Sequence, residues 1–125
     1  MIANLLGGLE IILNFQSLLA IILGIPLGMI VGATPGLSSN MALAIGVTLT
    51  FGVSPIIGIP FLMALYKSST YGGSISAILL NIPGTPAAAA TCLDGYKLTQ
   101  KGQAGKALKI ALYSSVMGDA FSDIV

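Results

Sequence analysis

Hydrophobic residues dominate the first 93 positions of the chain, and the few charges there leave long uncharged stretches between them. No charged residue lies between Glu10 and Lys67, and none lies between Lys67 and Asp94. A helix needs about 20 predominantly apolar residues to cross a bilayer. The first uncharged stretch is therefore long enough for two crossings.

Residues 1–16 are predicted to form an amphipathic helix in the membrane interface. At helical spacing the apolar side chains share one face and the polar residues and glycines gather opposite: Ile2, Leu5, Leu6, Leu9, Ile12 and Leu13 against Asn4, Gly7, Gly8, Glu10 and Asn14. Such a helix rests at headgroup level. The alternative is that this segment begins the first span. The first fifteen residues contain no Lys or Arg, so no cleavable signal peptide is indicated.

Residues 17–93 are predicted to hold the transmembrane spans, with Pro-Gly breaks at 35–36 and 83–84. The first crossing runs from about Ser17 to Ala33. It contains three glycines four residues apart, which leave a groove that another helix can approach closely: Gly24, Gly28 and Gly32. We expect the helix to stop before the first Pro-Gly pair. Residues 34–40 could then form an ordinary turn at the membrane surface.

The next apolar runs are interrupted by prolines. Pro55 and Pro60 divide residues 41–66, which predicts one broken span, or a span plus a short half-helix, with Lys67 at its polar end. Residues 75–93 carry two prolines and a glycine in four positions, so a continuous helix is not expected there. Non-helical backbone at membrane depth survives only where protein buries it or where it lines a cavity. A re-entrant hairpin with its tip at 83–85 is predicted.

The remaining charges lie close together in the last third of the chain. Residues 94–109 contain four lysines and are predicted to form a cytoplasmic loop, because short Lys-rich loops stay on that side. Residues 107–125 are predicted to start a further span. Asp119 and Asp123 within it should face protein or water rather than lipid. The absence of a closing loop leads us to expect that the chain is cut off from something longer.

Composition narrows the class of protein. The chain is 55% hydrophobic and only 7% charged, against about 25% charged in ordinary soluble domains. An all-α integral membrane protein with several spans, discontinuous helices and a re-entrant hairpin is therefore predicted. With no histidine and a single cysteine, catalytic and metal-binding signatures are missing. The net charge of +1 does not indicate binding to nucleic acid, because that requires many basic contacts to phosphates.

Paired interruptions of hydrophobic segments are a sequence pointer to a transporter binding site. The segments around both interruptions resemble one family: Gly32–Leu37, Tyr71–Pro86, and Ala87–Thr91 leading into Asp94-Gly95-Tyr96. They strongly resemble the large membrane subunit of tripartite tricarboxylate transporters, the TctA family. Thr34 and the run Lys67-Ser68-Ser69 depart from that family's usual pattern, which bears on the substrate more than on the fold.

The resemblance implies the N-terminal part of a larger transporter, namely of the permease subunit of a cation-coupled secondary transporter for citrate or other organic carboxylates. It implies a multi-pass protein of the bacterial inner membrane that works with a small membrane subunit and a periplasmic substrate-binding protein. It implies no cofactor beyond a coupling ion, Na⁺ or H⁺. Two other classes stay open: a non-transporting membrane scaffold that packs through its glycines, and a small membrane-embedded enzyme, which the missing catalytic residues disfavour.

If the chain is such a transporter, the two breaks supply its substrate site. Helix N-termini offer free N–H groups and a partial positive charge to a carboxylate. The candidate substrate-binding residues flank the breaks or belong to the family-like block: Pro35, Gly36, Ser38, Ser39, Asn40, Tyr71, Gly72, Gly73, Ser74, Asn81, Pro83, Gly84 and Thr85. Asn81 and exposed backbone carbonyls are the candidate ligands for Na⁺. Each Ser or Thr could instead hydrogen-bond to its own helix.

Overall fold

The computed structural model describes residues 2–125, with the side chains of residues 2 and 3 left out of the description. Met1 and the side chain of Ile2, which belong to the predicted amphipathic helix, lie outside the described part. The described chain is helical throughout. Six α-helices and one short 3₁₀ turn follow one another: α1 Ile2–Ile12, α2 Phe15–Ala33, α3 Ser39–Leu49, α4 Pro55–Leu80, the 3₁₀ turn Pro86–Ala88, α5 Ala89–Gln100 and α6 Ala104–Ile124.

The first helix, α1, is separated from α2 by a two-residue break, so it is not simply the start of the first span. Its leucines stay more than half exposed, with Leu5 at 62% and Leu9 at 53%. The helix packs only lightly on α2. The exposed apolar side chains are compatible with an interfacial position, and that position stays a prediction.

The centre of the fold is the contact between α2 and α4. Successive glycines of α2 meet successive turns of α4: Gly24 lies against Phe61 and Ala64, Gly28 against Leu65 and Ser68, and Gly32 against Ser69. Residue numbers rise together on both sides, so the two helices run parallel. A Cβ atom on Gly28 would overlap the Ser68 Oγ atom and the Leu65 carbonyl oxygen. The predicted glycine groove therefore holds a helix of the same chain.

Of the two prolines predicted to break residues 41–66, only Pro55 marks a helix boundary. The chain breaks at 50–54, and Pro55 is the first residue of α4, the position that suits its fixed φ. Pro60 lies inside α4. A proline leaves the carbonyl four residues earlier without its helical donor. Here that carbonyl, on Ile56, accepts a hydrogen bond from the Ser17 hydroxyl of α2 at 3.1 Å, which offsets the loss.

The predicted polar end at Lys67 is also wrong, because α4 continues for another thirteen residues, to Leu80. Small side chains cover this part of the helix and pack against neighbouring helices. Buried positions include Ser68, Ser69, Gly72, Gly73 and Ser76. This segment is less hydrophobic than a lipid-facing span. Its serines and glycines are small, and small residues permit close packing between helices.

The predicted break in residues 75–93 is confirmed, since no helix covers 81–85. Its two arms are longer than expected. One is the end of α4, and the other is α5, which extends to Gln100. Between them the backbone turns back along α4, and the Gly84 N–H donates to the Gly73 carbonyl at 3.4 Å. Asn81 makes the reversal in the left-handed conformation, with φ 59°.

The prediction that residues 94–109 form a loop is wrong for most of that segment. Helix α5 contains residues 94–100, and α6 begins at Ala104. Gly95 lies inside α5 and serves as a packing residue, because a Cβ atom there would lie 2.7 Å from Cγ1 of Ile78. Only Lys101, Gly102 and Gln103 form the turn, with Gly102 at φ 74°. The membrane side of this turn stays a prediction.

Among the described helices, α2 alone is both long and apolar enough to cross a membrane, by length and composition. Helix α4 has 26 residues, which at 1.5 Å per residue gives about 39 Å. Its length suffices for a crossing, although its small polar residues lower its hydropathy. The all-α class is confirmed, and the number of spans stays a prediction.

Candidate functional site

The second Pro-Gly break lies against α4 and the end of α2, three residues before the first Pro-Gly pair. A Cβ atom on Gly84 would lie 2.5 Å from the carbonyl oxygen of Gly32, in the last turn of α2 before the first break. It would lie 2.8 Å from the Cα atom of Gly73. The second break therefore packs where the end of α2 meets α4, and only glycine fits there. We call this meeting point of Gly32, Gly73 and Gly84 the joint.

Two helices start at this joint and run in opposite directions along α4. The hydroxyl of Ser39, in the first turn of α3, lies 3.3 Å from that of Thr70. Thr85, which precedes the 3₁₀ turn and α5, lies against Gly73, one turn further along α4. Both helix starts therefore bring their free N–H groups to the same level of the molecule.

Thr85 is the least satisfied polar group of the joint. The residue is 7% exposed, and within residues 2–125 its Oγ1 atom is buried without a hydrogen-bond partner. Most buried hydroxyls have such a partner, because burying an unpaired one costs about 1–3 kcal/mol. An unpaired hydroxyl at the start of a helical turn is a candidate hydrogen-bond partner for a ligand.

The remaining residues of the first break have distinct local roles. Ser38 caps α3 by accepting a hydrogen bond from the Met41 N–H at 3.3 Å. Gly36 has φ 94°, a conformation that favours glycine. Pro35 and Asn40 are exposed, so their side chains are accessible from outside the joint.

The family-like block 71–74 is split between different neighbours. Gly72 packs on the end of α2, where a Cβ atom would lie 2.7 Å from the Met29 carbonyl oxygen. The Tyr71 hydroxyl donates to the Leu108 carbonyl of α6 at 3.3 Å. Ser74 lines a cleft of about 360 Å³ between α4, α5 and α6. Of these four residues, only Gly73 contacts the second break directly.

Asn81 does not belong to the joint. It caps the C-terminal end of α4, with its N–H donating to the Ala77 carbonyl at 3.2 Å. It lies eight residues beyond Gly73, where the chain turns back, which is about 12 Å further along the axis of α4. Pro83 lies on the exposed stretch between them. This arrangement therefore does not favour a carboxylate and Na⁺ site that includes Asn81.

Sequence reasoning missed one charged cluster. The ammonium group of Lys67 on α4 lies 3.3 Å from a carboxylate oxygen of Asp119 and 3.2 Å from one of Asp123, both on α6. The expectation that these two carboxylates face protein or water agrees with these contacts. Two features of the sequence could have indicated this cluster. Asp119 and Asp123 have i, i+4 spacing, and no other charge lies near Lys67 in the sequence. Within the described chain, no three His, Cys, Asp or Glu residues come together as metal ligands.

These features define an all-helical protein in which interrupted helices start at a common point, an arrangement that secondary transporters use for binding sites. The tripartite tricarboxylate transporter TctA family matches residues 18–125. The chain therefore belongs to this family of membrane transport proteins, as the sequence resemblance indicated, and the family is not one of enzymes.

Two curated relatives support the assignment. An uncharacterized 52.8 kDa protein in TAR-I ttuC' 3'region of Agrobacterium vitis is 37% identical over 115 residues, covering 92% of this chain and 23% of the relative. An uncharacterized protein of Methanocaldococcus jannaschii is 33% identical over 113 residues, covering 87% of this chain and 27% of the relative. The chain thus spans about a quarter of the length of both relatives. No solved structure matches it significantly.

Proposed function

We propose that this chain contributes the N-terminal part of the permease in a cation-coupled secondary transporter for tricarboxylates or related organic carboxylates. Family membership supports transport of tricarboxylates by a system of several subunits. The observation that carries the proposal further is the packing of the second Pro-Gly break against the end of α2, beside the unpartnered hydroxyl of Thr85. On this proposal the permease is a multi-pass protein of the bacterial inner membrane and works with a small membrane subunit and a periplasmic substrate-binding protein.

The joint offers neutral donors rather than fixed positive charge to the substrate. The start of α3 presents backbone N–H groups, the 3₁₀ turn before α5 contributes that of Ala87, and Ser39, Asn40 and Thr85 present side-chain donors. The sequence contains no arginine. Helix N-termini stabilise a carboxylate through their partial positive charge. A co-transported cation would offset the remaining substrate charge, which is the reason for proposing coupling.

Asn40→Ala and Thr85→Ala should each weaken carboxylate uptake at normal abundance in the membrane. A hydrogen bond to a charged group contributes about 1.5–3 kcal/mol, so each loss should raise the apparent KM by about tenfold or more. Uptake of labelled citrate, normalised to subunit level, measures the effect. The matched control is Thr48→Ala, since the Thr48 hydroxyl donates to the Ala44 carbonyl of its own helix. Wild-type uptake in both test variants would leave the joint as a packing feature.

The proposed topology places the turn at 101–103 in the cytoplasm. Lys97, Lys101, Lys106 and Lys109 surround it, and basic residues near span ends favour the cytoplasmic side. In a background where Cys92 is serine, Lys101→Cys should resist an impermeant thiol reagent added to intact cells and react after the cells are permeabilised. Ready labelling in intact cells would reverse the topology.

The glycine-mediated scaffold is the weaker alternative. Its prediction rested on a glycine groove free to bind another protein, but Gly28 and Gly32 are already covered by α4. Straight, continuous helices would have favoured it, whereas residues 81–85 interrupt the helical path.

A further inference from the structure

An apolar groove of about 720 Å³ runs between α1, α2 and α4. Isoleucines line most of its length, so we call it the isoleucine groove: Ile11, Ile12, Ile21, Ile25, Ile56 and Ile59. The groove is open from outside, since Ile59 is 61% exposed. Ser68 supplies the one hydroxyl among the described lining residues, and this hydroxyl already donates to the Ala64 carbonyl at 2.6 Å. Along its length the groove therefore suits an apolar chain.

A charged cluster stands at one end of the isoleucine groove. It consists of Lys67 on α4, Asp119 and Asp123 on α6, and we call it the triad. The Lys67 ammonium group donates to the Asp123 carboxylate at 3.2 Å and lies 3.3 Å from a carboxylate oxygen of Asp119. The aspartate side chains remain 56% and 68% exposed, so a ligand can reach both carboxylates. One ammonium group neutralises one carboxylate, which leaves the triad with a net charge of −1.

The contacts between α2 and α4 set the depth of the triad. The neighbours of Lys67 on α4 pack against Gly28 and Gly32, in the last two turns of α2. At the other end of the groove, the Ile56 carbonyl accepts a hydrogen bond from Ser17, in the first turn of α2. Helix α2 is long and apolar enough to cross a membrane. If it does, the triad lies near the head groups of one leaflet and the groove extends from there into the hydrocarbon.

The dimensions of the groove fit an acyl chain. The groove follows α4 from Pro55 to Lys67, which is a rise of about 18 Å. One leaflet contributes half of a hydrocarbon core about 30 Å thick. A volume of about 720 Å³ over that length gives a mean cross-section of about 40 Å², roughly half that of a helix 10 Å wide. The groove is therefore about as long as one leaflet is thick and narrower than a helix.

We propose that the isoleucine groove binds an acyl chain of phosphatidylethanolamine and that the triad holds the primary ammonium group of its head. The ammonium group donates hydrogen bonds to the Asp119 and Asp123 carboxylates and neutralises the remaining negative charge. Charge-assisted hydrogen bonds of this kind are about twice as strong as neutral ones. The lipid site does not depend on which substrate the protein transports.

The chemistry of the triad selects this head group over two others. Phosphatidylglycerol is anionic and has no cation to offer, so the net negative charge of the triad repels it. The quaternary ammonium group of phosphatidylcholine has no N–H donor. Proteins recognise such groups with cages of aromatic side chains, and none of the described lining residues of the groove is aromatic.

Native mass spectrometry of the intact transporter tests the proposal with an equimolar mixture of the three lipids. The wild type should retain one phosphatidylethanolamine per subunit, about tenfold more than either other lipid, as expected for hydrogen bonds to charged groups. Ile59→Trp fills the groove and should remove this lipid. The matched control is Ile22→Trp, which should keep it, since Ile22 is 60% exposed on α2 and outside the groove. The double variant Asp119→Asn with Asp123→Asn should retain phosphatidylglycerol in preference.

Each contrary result overturns a stated part of the proposal. Equal retention of the three lipids by the wild type, or an unchanged preference in the double variant, would refute recognition of the ammonium group. Equal retention of phosphatidylethanolamine by Ile59→Trp and Ile22→Trp would place the lipid elsewhere. If the wild type retains no lipid, or if Ile59→Trp releases a protein subunit instead, the groove is not a lipid site. Thermal unfolding of each variant shows that it is folded.

Discussion

Gly32→Ala should destabilise the protein by about 1–3 kcal/mol, the usual cost of overfilling a tightly packed contact. The added Cβ atom would overlap the carbonyl oxygen of Ser69 and lie 2.7 Å from its carbonyl carbon and Cα atoms. These are backbone atoms of α4, so no side-chain rotation can relieve the contact. Helices α2 and α4 would have to separate. Thermal unfolding of the purified protein in detergent measures the effect.

The matched control for this substitution is Gly118→Ala in α6. Nothing lies within 4 Å of the position that its Cβ atom would take. Alanine is favoured over glycine inside a helix by about 0.5–1 kcal/mol, so this variant should be as stable as the wild type or slightly more stable. Equal destabilisation by the two substitutions would show that the contact between α2 and α4 does not hold the fold together.

Gly84→Val should reduce carboxylate uptake to background while Gly105→Val leaves most of it. At position 84, even the first added carbon would lie 2.5 Å from the Gly32 carbonyl oxygen and 3.0 Å from the Ser76 hydroxyl oxygen. The second break would then have to leave the joint, and the start of α5 would move with it. Nothing lies within 4 Å of a Cβ atom at position 105.

Uptake normalised to subunit abundance, with thermal unfolding alongside, decides this second prediction. If Gly84→Val transports at the wild-type rate, the packing of the second break against the end of α2 is not required for transport. If its abundance in the membrane falls together with uptake, the milder Gly84→Ala variant gives the test, since the same backbone contacts oppose its single added carbon.

The sequence predicted those parts of the fold that a single local signal decides. A Pro-Gly pair interrupts a helix because of its backbone chemistry, and both interruptions were located. Glycines at four-residue spacing predicted a close helix contact, and the contact exists. What the spacing could not show is that the neighbouring helix is α4, since any helix with small residues could have filled the groove.

The failed predictions share one physical cause, which is that tertiary contacts override local preference. Pro60 stays helical because Ser17, 43 positions earlier in the printed sequence, donates to the carbonyl that the proline leaves free. Gly95 stays helical because α5 packs closely on Ile78 at that position. Neither partner lies near its proline or glycine in the sequence, so local preference alone does not predict that these positions stay helical.

The structure brings some of the predicted site residues together and separates others. Thr85, Gly84 and Ser39 meet at the joint, whereas Asn81 and Tyr71 lie elsewhere, although they belong to the same family-like block. The backbone reversal at Asn81 separates residues that are close in sequence. Thr70 was missed because a threonine inside a helix usually bonds to its own helix. Its hydroxyl does so with Tyr66 and also lies next to Ser39.

The central claim is that the two breaks form one carboxylate site, and protection of cysteines by substrate tests it most directly. In the intact transporter with Cys92→Ser, Ser38→Cys marks the first break, Ala87→Cys the second, and Leu93→Cys, exposed on α5, serves as the control. Citrate should slow maleimide labelling at positions 38 and 87 with the same half-maximal concentration and leave position 93 unchanged. Protection at only one break, or at neither, would contradict a shared site.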